Sequence, residues 1–332
     1  MTIKSKYVYN YQLWRIADHL FGNTTPSKRF IKKRQKNRDL LLKDLKKQTG
    51  SLKQIEKINN ISDNDFKKKY INRGIPVVLK GKAKNWKAIK KWNVDWLFDN
   101  FCNEKISLFD TTIKKNHTPD YKVNESTLKD VLNAIKSGDT SKYSRFNRLL
   151  YNHPELLNHL DWKWLYNMRS TISSGKTFQV FIGGKDTKTT LHAASENNLF
   201  TQIYGKKHWY LYPPEYDIIF NPPITKSPYF HSLFNPEKAD YKEFPHTKYI
   251  TTWECELEAG DILYNPPSWW HHVTNTSDSI GIGFRWFSIK DSLKMSITQT
   301  LLTLLSTNPP IWYAAKNRTD FAEIFRYMNK KV

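Results

Sequence analysis

The chain has 332 residues, enough for one large domain with extensions or for two modest ones. Hydrophobic residues make up 39% and aromatics 14%, so a packed core is attainable and wholesale disorder is excluded. The formal charge of +22 attracts polyanions at long range, although the abundance of Lys, Asn and Ile is equally what an AT-rich coding sequence would give.

Residues 1–60 are the most polar and basic stretch. Within 28–47, ten of twenty residues are Lys or Arg, against the acids Asp39 and Asp44. Leu41, Leu45, Leu52 and Ile55 recur at roughly helical spacing, which predicts one or two helices with a narrow apolar stripe. The basic run 28–47 reads either as an arm for a polyanion such as nucleic acid or as the solvated face of an ordinary helix. Aromatic interleaving of the nucleic-acid type is poor here, because Phe30 stands nearly alone.

A helix start follows at Ser62, answered by Asp65, with Ile61 and Phe66 placed as a hydrophobic staple. That helix is expected to run to about Arg73, with Gly74 just past its end, before a short strand at 75–80. Trp86 and Trp92 lead into a helix at 94–100, and Ser126 caps another at 128–135. From about Lys176 the texture becomes β-rich. Aromatic or β-branched runs occur at 178–182, 200–204, 208–212, 251–256, 262–264, 272–274 and 280–286, which predicts a sandwich or barrel. After Ser288, the spacing of Leu293, Ile297, Leu301, Leu304 and Leu305 returns to helical. Four regions result: a basic, mostly helical extension (1–60), an α/β lead-in (61–160), a β core (161–290) and C-terminal helices (291–332).

Cys102 and Cys255 are too few for a disulfide framework or a thiolate metal site. The first six residues lack a secretory apolar core, and 297–305 is too short and too rich in Thr and Gln to span a bilayer. An intracellular protein is expected, cytoplasmic or nuclear, with no membrane partner.

Two segments carry the chemistry. One runs from Thr189 through His192, Asn198 and Gly205 to Lys207; the other runs from Glu258 to His272. In the second, Ala259, Gly260 and Asp261 signal a turn, and Pro266 and Pro267 end a strand just before Trp269, Trp270 and His271. A histidine held between prolines and tryptophans is preorganised as a ligand, because packing fixes its rotamer. His272 alternates to the opposite strand face and His208 sits beside Trp209; both read as packed residues. His19, His117, His153, His159, His231 and His246 have no partner at metal spacing along the chain.

The second segment closely resembles the Gly-Asp…Pro-x-x-Trp-Trp-His signature of the JmjC-type, cupin-like family of iron- and 2-oxoglutarate-dependent oxygenases. The subgroup it suggests is that of the asparaginyl hydroxylases similar to factor-inhibiting HIF. The first segment resembles the family's Thr-x-x-His-x-Asp…Asn-Leu…Gly-x-Lys strand pair. The likeness implies a mainly β fold, a double-stranded β-helix of the jelly-roll kind with helical extensions at both ends. Carried over by position, His192 and His271 would hold Fe(II). Thr189 and Lys207 would grip the distal carboxylate of 2-oxoglutarate, and Asn198 would be a polar pocket residue nearby. Neutral imidazole suits iron, and a buried Lys answers a dicarboxylate. Residues 291–332 resemble helices that several members use to form homodimers, and loops near 213–250 would choose a protein substrate.

One position departs from the pattern. The acidic third ligand should lie two residues after the first histidine, where this chain has Ala194. Three readings follow. Water or an anion fills the place, as in related halogenases with a small residue there. Alternatively Glu196 substitutes, although four residues place it roughly 13 Å along a straight strand. Or iron catalysis is lost and the protein is a binding module. The first two readings keep a dioxygenase that hydroxylates a protein or other macromolecular side chain.

Overall fold

The computed structural model describes residues 6–22, 28–110, 122–310 and Tyr313. The N-terminal part comprises α1 (Lys6–Phe21), α2 (Lys28–Leu45), β1 (Ser51–Gln54), β2 (Lys57–Ile58), α3 (Asp63–Lys69) and β3 (Val77–Leu79). Next come α4 (Lys87–Lys91), α5 (Val94–Phe101), β4 (Lys105–Asp110), β5 (Lys122–Thr127), α6 (Leu128–Ser137), β6 (Tyr143–Asn147), α7 (Leu149–Asn152) and α8 (Trp162–Met168). The β-rich part holds β7 (Ser174–Gly183), β8 (Lys188–Ala193), β9 (Glu196–Tyr204), β10 (Lys207–Tyr212), α9 (Asp217–Phe220), β11 (Phe230–His231) and β12 (Thr251–Leu257). It continues through β13 (Ile262–Asn265), β14 (Trp270–Asn275) and β15 (Ser279–Phe287) to α10 (Ile289–Met295) and α11 (Ile297–Leu304).

Two large sheets face each other. One has the order β1-β12-β10-β14-β8-β11, the other β2-β3-β13-β9-β15-β7-β6, and most pairings are antiparallel. This is the expected mainly β, double-stranded β-helix with flanking helices. Alternation along the strands divides the apolar residues into layers. Trp209, Leu211, Leu257 and Val273 from the first sheet meet Val78, Phe181, Phe200 and Leu263 from the second between the sheets. On the outer side of the first sheet, Leu191, Tyr212, Phe230 and Trp270 pack against Val8 and Tyr11 of α1 and Leu41 and Leu45 of α2. Each such burial contributes roughly 1.5–3 kcal/mol.

The capped elements follow from local chemistry. The Ser62 hydroxyl accepts the Asp65 amide, as the sequence predicts, but the helix expected to run to about Arg73 ends at Lys69, and Gly74 closes a separate 3-10 turn over Ile71–Arg73 at φ 65°. The cap of α6 differs: Thr127, not Ser126, takes the N-cap position in a capping box with Asp130. Ser126 instead donates its hydroxyl to the same carboxylate at 2.6 Å. The stripe of Leu41, Leu45, Leu52 and Ile55 also divides. Leu41 and Leu45 lie on α2, whereas Leu52 sits on β1, paired in parallel with Thr252. Extended backbone wins there because β12 offers an unpaired edge.

Two basic side chains of α2 are committed inward, while Lys32, Lys33, Lys36 and Lys43 are exposed. Arg34 pairs with Asp18 at 2.8 Å, and Arg38 donates to the carbonyls of Ile218 and Ile219. Arg15 of α1 reaches Asp217 at 2.6 Å. No helix among the described residues is long and apolar enough to cross a membrane. The predicted C-terminal helices are seen as α10 and α11; residues 314–332 lie outside the described residues.

Candidate metal and dicarboxylate site

The site grows out of strand alternation on three neighbouring strands. On β14, Trp270 points to the outer helical layer, so His271 points between the sheets. On β8, Leu191 and Ala193 face the helices, which turns His192 inward. On β10, Trp209 and Leu211 face the interior, and Lys207 shares their side. The registers then align the histidines: His271 lies opposite His192 in the β14–β8 ladder.

Their ring centres are 4.1 Å apart, although the residues are separated by most of the β core. The His192 Nδ1 lies 2.8 Å from the Thr190 carbonyl; the His271 Nδ1 lies 3.0 Å from the Trp269 carbonyl and 3.2 Å from the Asn265 amide nitrogen. A ring whose Nδ1–H donates to a carbonyl presents the lone pair of Nε2. Burial and the other histidines push His192 well below the usual imidazole value, and burial pushes His271 down to about 4. Both rings are therefore neutral at pH 7, the form that ligates.

The approach to His271 is tightly held. Ser268 has a positive φ of 66°, and its amide donates to the Ala194 carbonyl at 2.7 Å. A non-glycine residue in that region is uncommon and persists where its surroundings over-determine it. The Gly260 turn forms as expected, with Asp261 accepting the amides of Gly81 and Glu258 rather than facing the cavity.

One cavity is lined by His192, His271, Thr189 and Lys207, together with Tyr143, Phe146, Phe181, Phe200, Trp209, Val273 and Arg285. Lys207 is fully buried. Its ammonium donates to the Tyr143 hydroxyl at 3.2 Å and to the Asn275 side-chain oxygen. The Asn275 amide nitrogen is spent on Gly183, Gly184 and Thr187, which fixes its oxygen toward Lys207. Desolvation lowers the Lys207 pKa to about 7. Lys206, by contrast, is exposed and pairs with Glu258 at 2.7 Å, as alternation requires.

The other predicted positions differ in placement. Asn198 is buried on β9 opposite Asn265 and Arg285, on the strand face that Phe200 turns between the sheets. Neither end of its amide has a hydrogen-bond partner among the described residues. Glu196 opens β9 in the opposite sheet, its carboxylate 3.6 Å from the Arg285 guanidinium. Ala194 follows β8 directly. Among the described residues no three His, Cys, Asp or Glu side chains are gathered closely enough to hold a metal ion. His272 contacts Glu237 on the far face and His208 contacts Glu254, which accounts for both as packed residues.

Linear reading missed three contributors. Tyr143 comes from the lead-in region and carried no motif; its hydroxyl meets both Lys207 and the Thr189 side chain. Arg285 carried none either. His231, which carries no metal-type spacing in the sequence, lies directly opposite His192 in the β11–β8 ladder, their rings 5.9 Å apart and 20° from parallel. Desolvation lowers its pKa to about 3. Cross-strand register is not visible as sequence spacing.

The family model described as "Cupin-like domain" matches residues 63–292. Among relatives, the lysine-specific demethylase JMJ30 of Arabidopsis thaliana is 27% identical over 259 residues, covering 76% of this chain and 59% of that protein. The arginine-specific demethylase JMJ20 of the same plant is 26% identical, covering 71% and 57%. The human HSPB1-associated protein 1 is 28% identical over 199 residues, covering 56% and 40%. The chain thus spans less than two thirds of the length of these relatives.

Proposed function

The chain belongs to the JmjC-type, cupin-like domain family, and on that premise we propose that it is an Fe(II)- and 2-oxoglutarate-dependent dioxygenase that hydroxylates a side chain of a protein or another macromolecule. One observation carries the reading. A fully buried ammonium, Lys207, has only neutral hydrogen-bond partners among the described residues and shares its cavity with two neutral, preoriented imidazoles. A buried cation of this kind calls for an anionic ligand. The two free Nε2 atoms suit a divalent transition ion with open positions.

His192 and His271 would hold Fe(II), which when bound supplies the one-electron chemistry needed to activate dioxygen. Lys207, with Tyr143 and Thr189 beside it, would bind the distal carboxylate of 2-oxoglutarate and so orient its 2-oxo acid end toward the histidines. Phe146, Phe181, Phe200 and Trp209 line the same cavity and exclude water from it. Overall, 2-oxoglutarate becomes succinate and carbon dioxide, one oxygen atom entering succinate and the other the substrate's new hydroxyl. Relatives named for lysine and arginine demethylation support a protein side chain as substrate. The same insertion of oxygen into a methyl C–H bond would give a demethylase.

Ala194 favours a second reading, in which the fold is kept as a binding module without turnover. Succinate release from 2-oxoglutarate with Fe(II) separates the two, with His192→Ala and His271→Ala as blanks. Turnover above those blanks supports the dioxygenase. Stoichiometric 2-oxoglutarate binding without any turnover, over a broad pool of proteins and peptides, supports the module.

A further inference from the structure

We propose that His231 supplies the third protein ligand that Ala194 cannot, giving an all-imidazole metal site of His271, His192 and His231. The proposal rests on the two-histidine reading above and concerns a residue outside both motif segments.

The registers set the geometry. His271 on β14 lies opposite His192 on β8, and His192 lies opposite His231 on β11, so the three form one row across adjacent strands. Directly paired residues place their side chains on the same face of a sheet. The neighbours of His231 confirm its direction. Phe230 is buried in the outer layer and lies under the Arg15 guanidinium, and the Ser232 hydroxyl donates to the Phe220 carbonyl. With both neighbours turned outward, His231 turns toward the histidine side, where its ring is nearly parallel to that of His192.

The ring separations lie close to what a shared ion needs. Metal–nitrogen bonds of about 2.1 Å put the centres of two ligating rings roughly 4.6–6.5 Å apart, as the angle at the metal opens from square to straight. The His192–His231 separation is 5.9 Å, inside that span, and the His192–His271 separation is 4.1 Å, just below it. Outer strands in such a row stand about 10 Å apart, within the combined reach of two imidazoles closing on an ion over the middle one. The three are not yet gathered on one point. What remains is rotation of His231 about its side-chain bonds, exchanging its present interactions for the ion, since β11 is already held in place through Phe230 and the Ser232 amide bond to Leu191.

Charge and chemistry also distinguish this ligand set from the usual one. Three neutral nitrogens replace two nitrogens and a carboxylate, so the bound ion keeps its full double charge, which favours anionic co-ligands. Glu196 is a poorer candidate, because its carboxylate lies against Arg285 in the opposite sheet.

Cobalt(II) titration, followed by calorimetry and by the visible ligand-field spectrum, tests the assignment without catalysis. Wild type, His192→Ala, His231→Ala, His231→Gln and the double variant His231→Ala/Ala194→Asp are compared. Expected is at least a tenfold loss of cobalt affinity in both His231 variants, with recovery in the double variant, where the carboxylate returns. Copper(II)-loaded wild type, read by pulsed electron paramagnetic resonance, should show three coupled imidazoles; this needs no mutation and so does not depend on how the variants fold. Unchanged cobalt affinity and spectrum in His231→Ala, with binding lost in His192→Ala, or two imidazoles in the copper count, would overturn the third ligand while leaving the two-histidine site standing. Failure of wild type to bind either metal would overturn both.

Discussion

Neighbouring residues of β14 serve two buried polar regions with opposite character. Trp270 points outward and donates its indole N–H to Asp217, which also accepts from Arg15 and Gln299. His271 points inward to a cavity where Lys207 has no anionic partner and the Trp209 indole N–H has no partner among the described residues. In the first region, charge meets charge and α1, α9, β14 and α11 are tied together, with only the Arg15 Nε and the Gln299 side-chain oxygen lacking a partner among the described residues. In the second, polar groups are held in place without being consumed. A buried charge that meets an opposite charge locks a fold, whereas a buried cation with neutral partners is ready for an anionic ligand, at some cost in stability.

Removing a charge from each region should therefore act in opposite directions. Asp217→Ala strands the buried Arg15 and should lower unfolding free energy by about 3–5 kcal/mol, measured by urea denaturation. If the loss is under about 1 kcal/mol, the outer network is not the lock described. Lys207→Met removes an ammonium that costs free energy to bury, so unliganded stability should hold or rise. Its 2-oxoglutarate affinity should fall by about 1.5–3 kcal/mol, roughly 10- to 150-fold by calorimetry.

A pH series sharpens the contrast. With its pKa near 7, Lys207 is partly neutral in the unliganded protein, and a bound carboxylate favours its protonated form. Binding then takes up a proton, so affinity for 2-oxoglutarate should weaken up to about tenfold per unit as pH rises above 7, about 1.4 kcal/mol per unit. Calorimetry in buffers of different ionisation enthalpy reads the proton directly, and no uptake would place the dicarboxylate elsewhere. Far from both regions, Thr127→Ala should cost about 1 kcal/mol through loss of the α6 cap, with ligand binding unchanged.

How much of this was legible in sequence follows from what each feature depends on. The strands around Phe178, Phe200 and Ile280 were readable because β-branched and aromatic runs bounded by turns have few other uses. Gly74 and Ser62 were readable because their conformations are local. His192, Lys207 and His271 were readable from motifs, and the fold brings them into one cavity. What escaped was set by long-range pairing. Leu52 left the helical stripe because β12 offered an edge. Tyr143 reached Lys207 from another sheet, and β11 has only two residues, too few to leave a pattern. Asn198 has its register partners in Asn265 and Arg285, on the inward face of β9 that it shares with Phe200.

The central claim is that an ion held by His192 and His271 and a dicarboxylate held by Lys207 occupy one cavity. Anaerobic calorimetry of 2-oxoglutarate binding, with and without Fe(II), in wild type and His192→Ala, tests it most directly. The proposed site predicts one equivalent bound, with affinity raised at least tenfold by Fe(II) in wild type and not in His192→Ala. Equal affinity with and without the metal in wild type would contradict it.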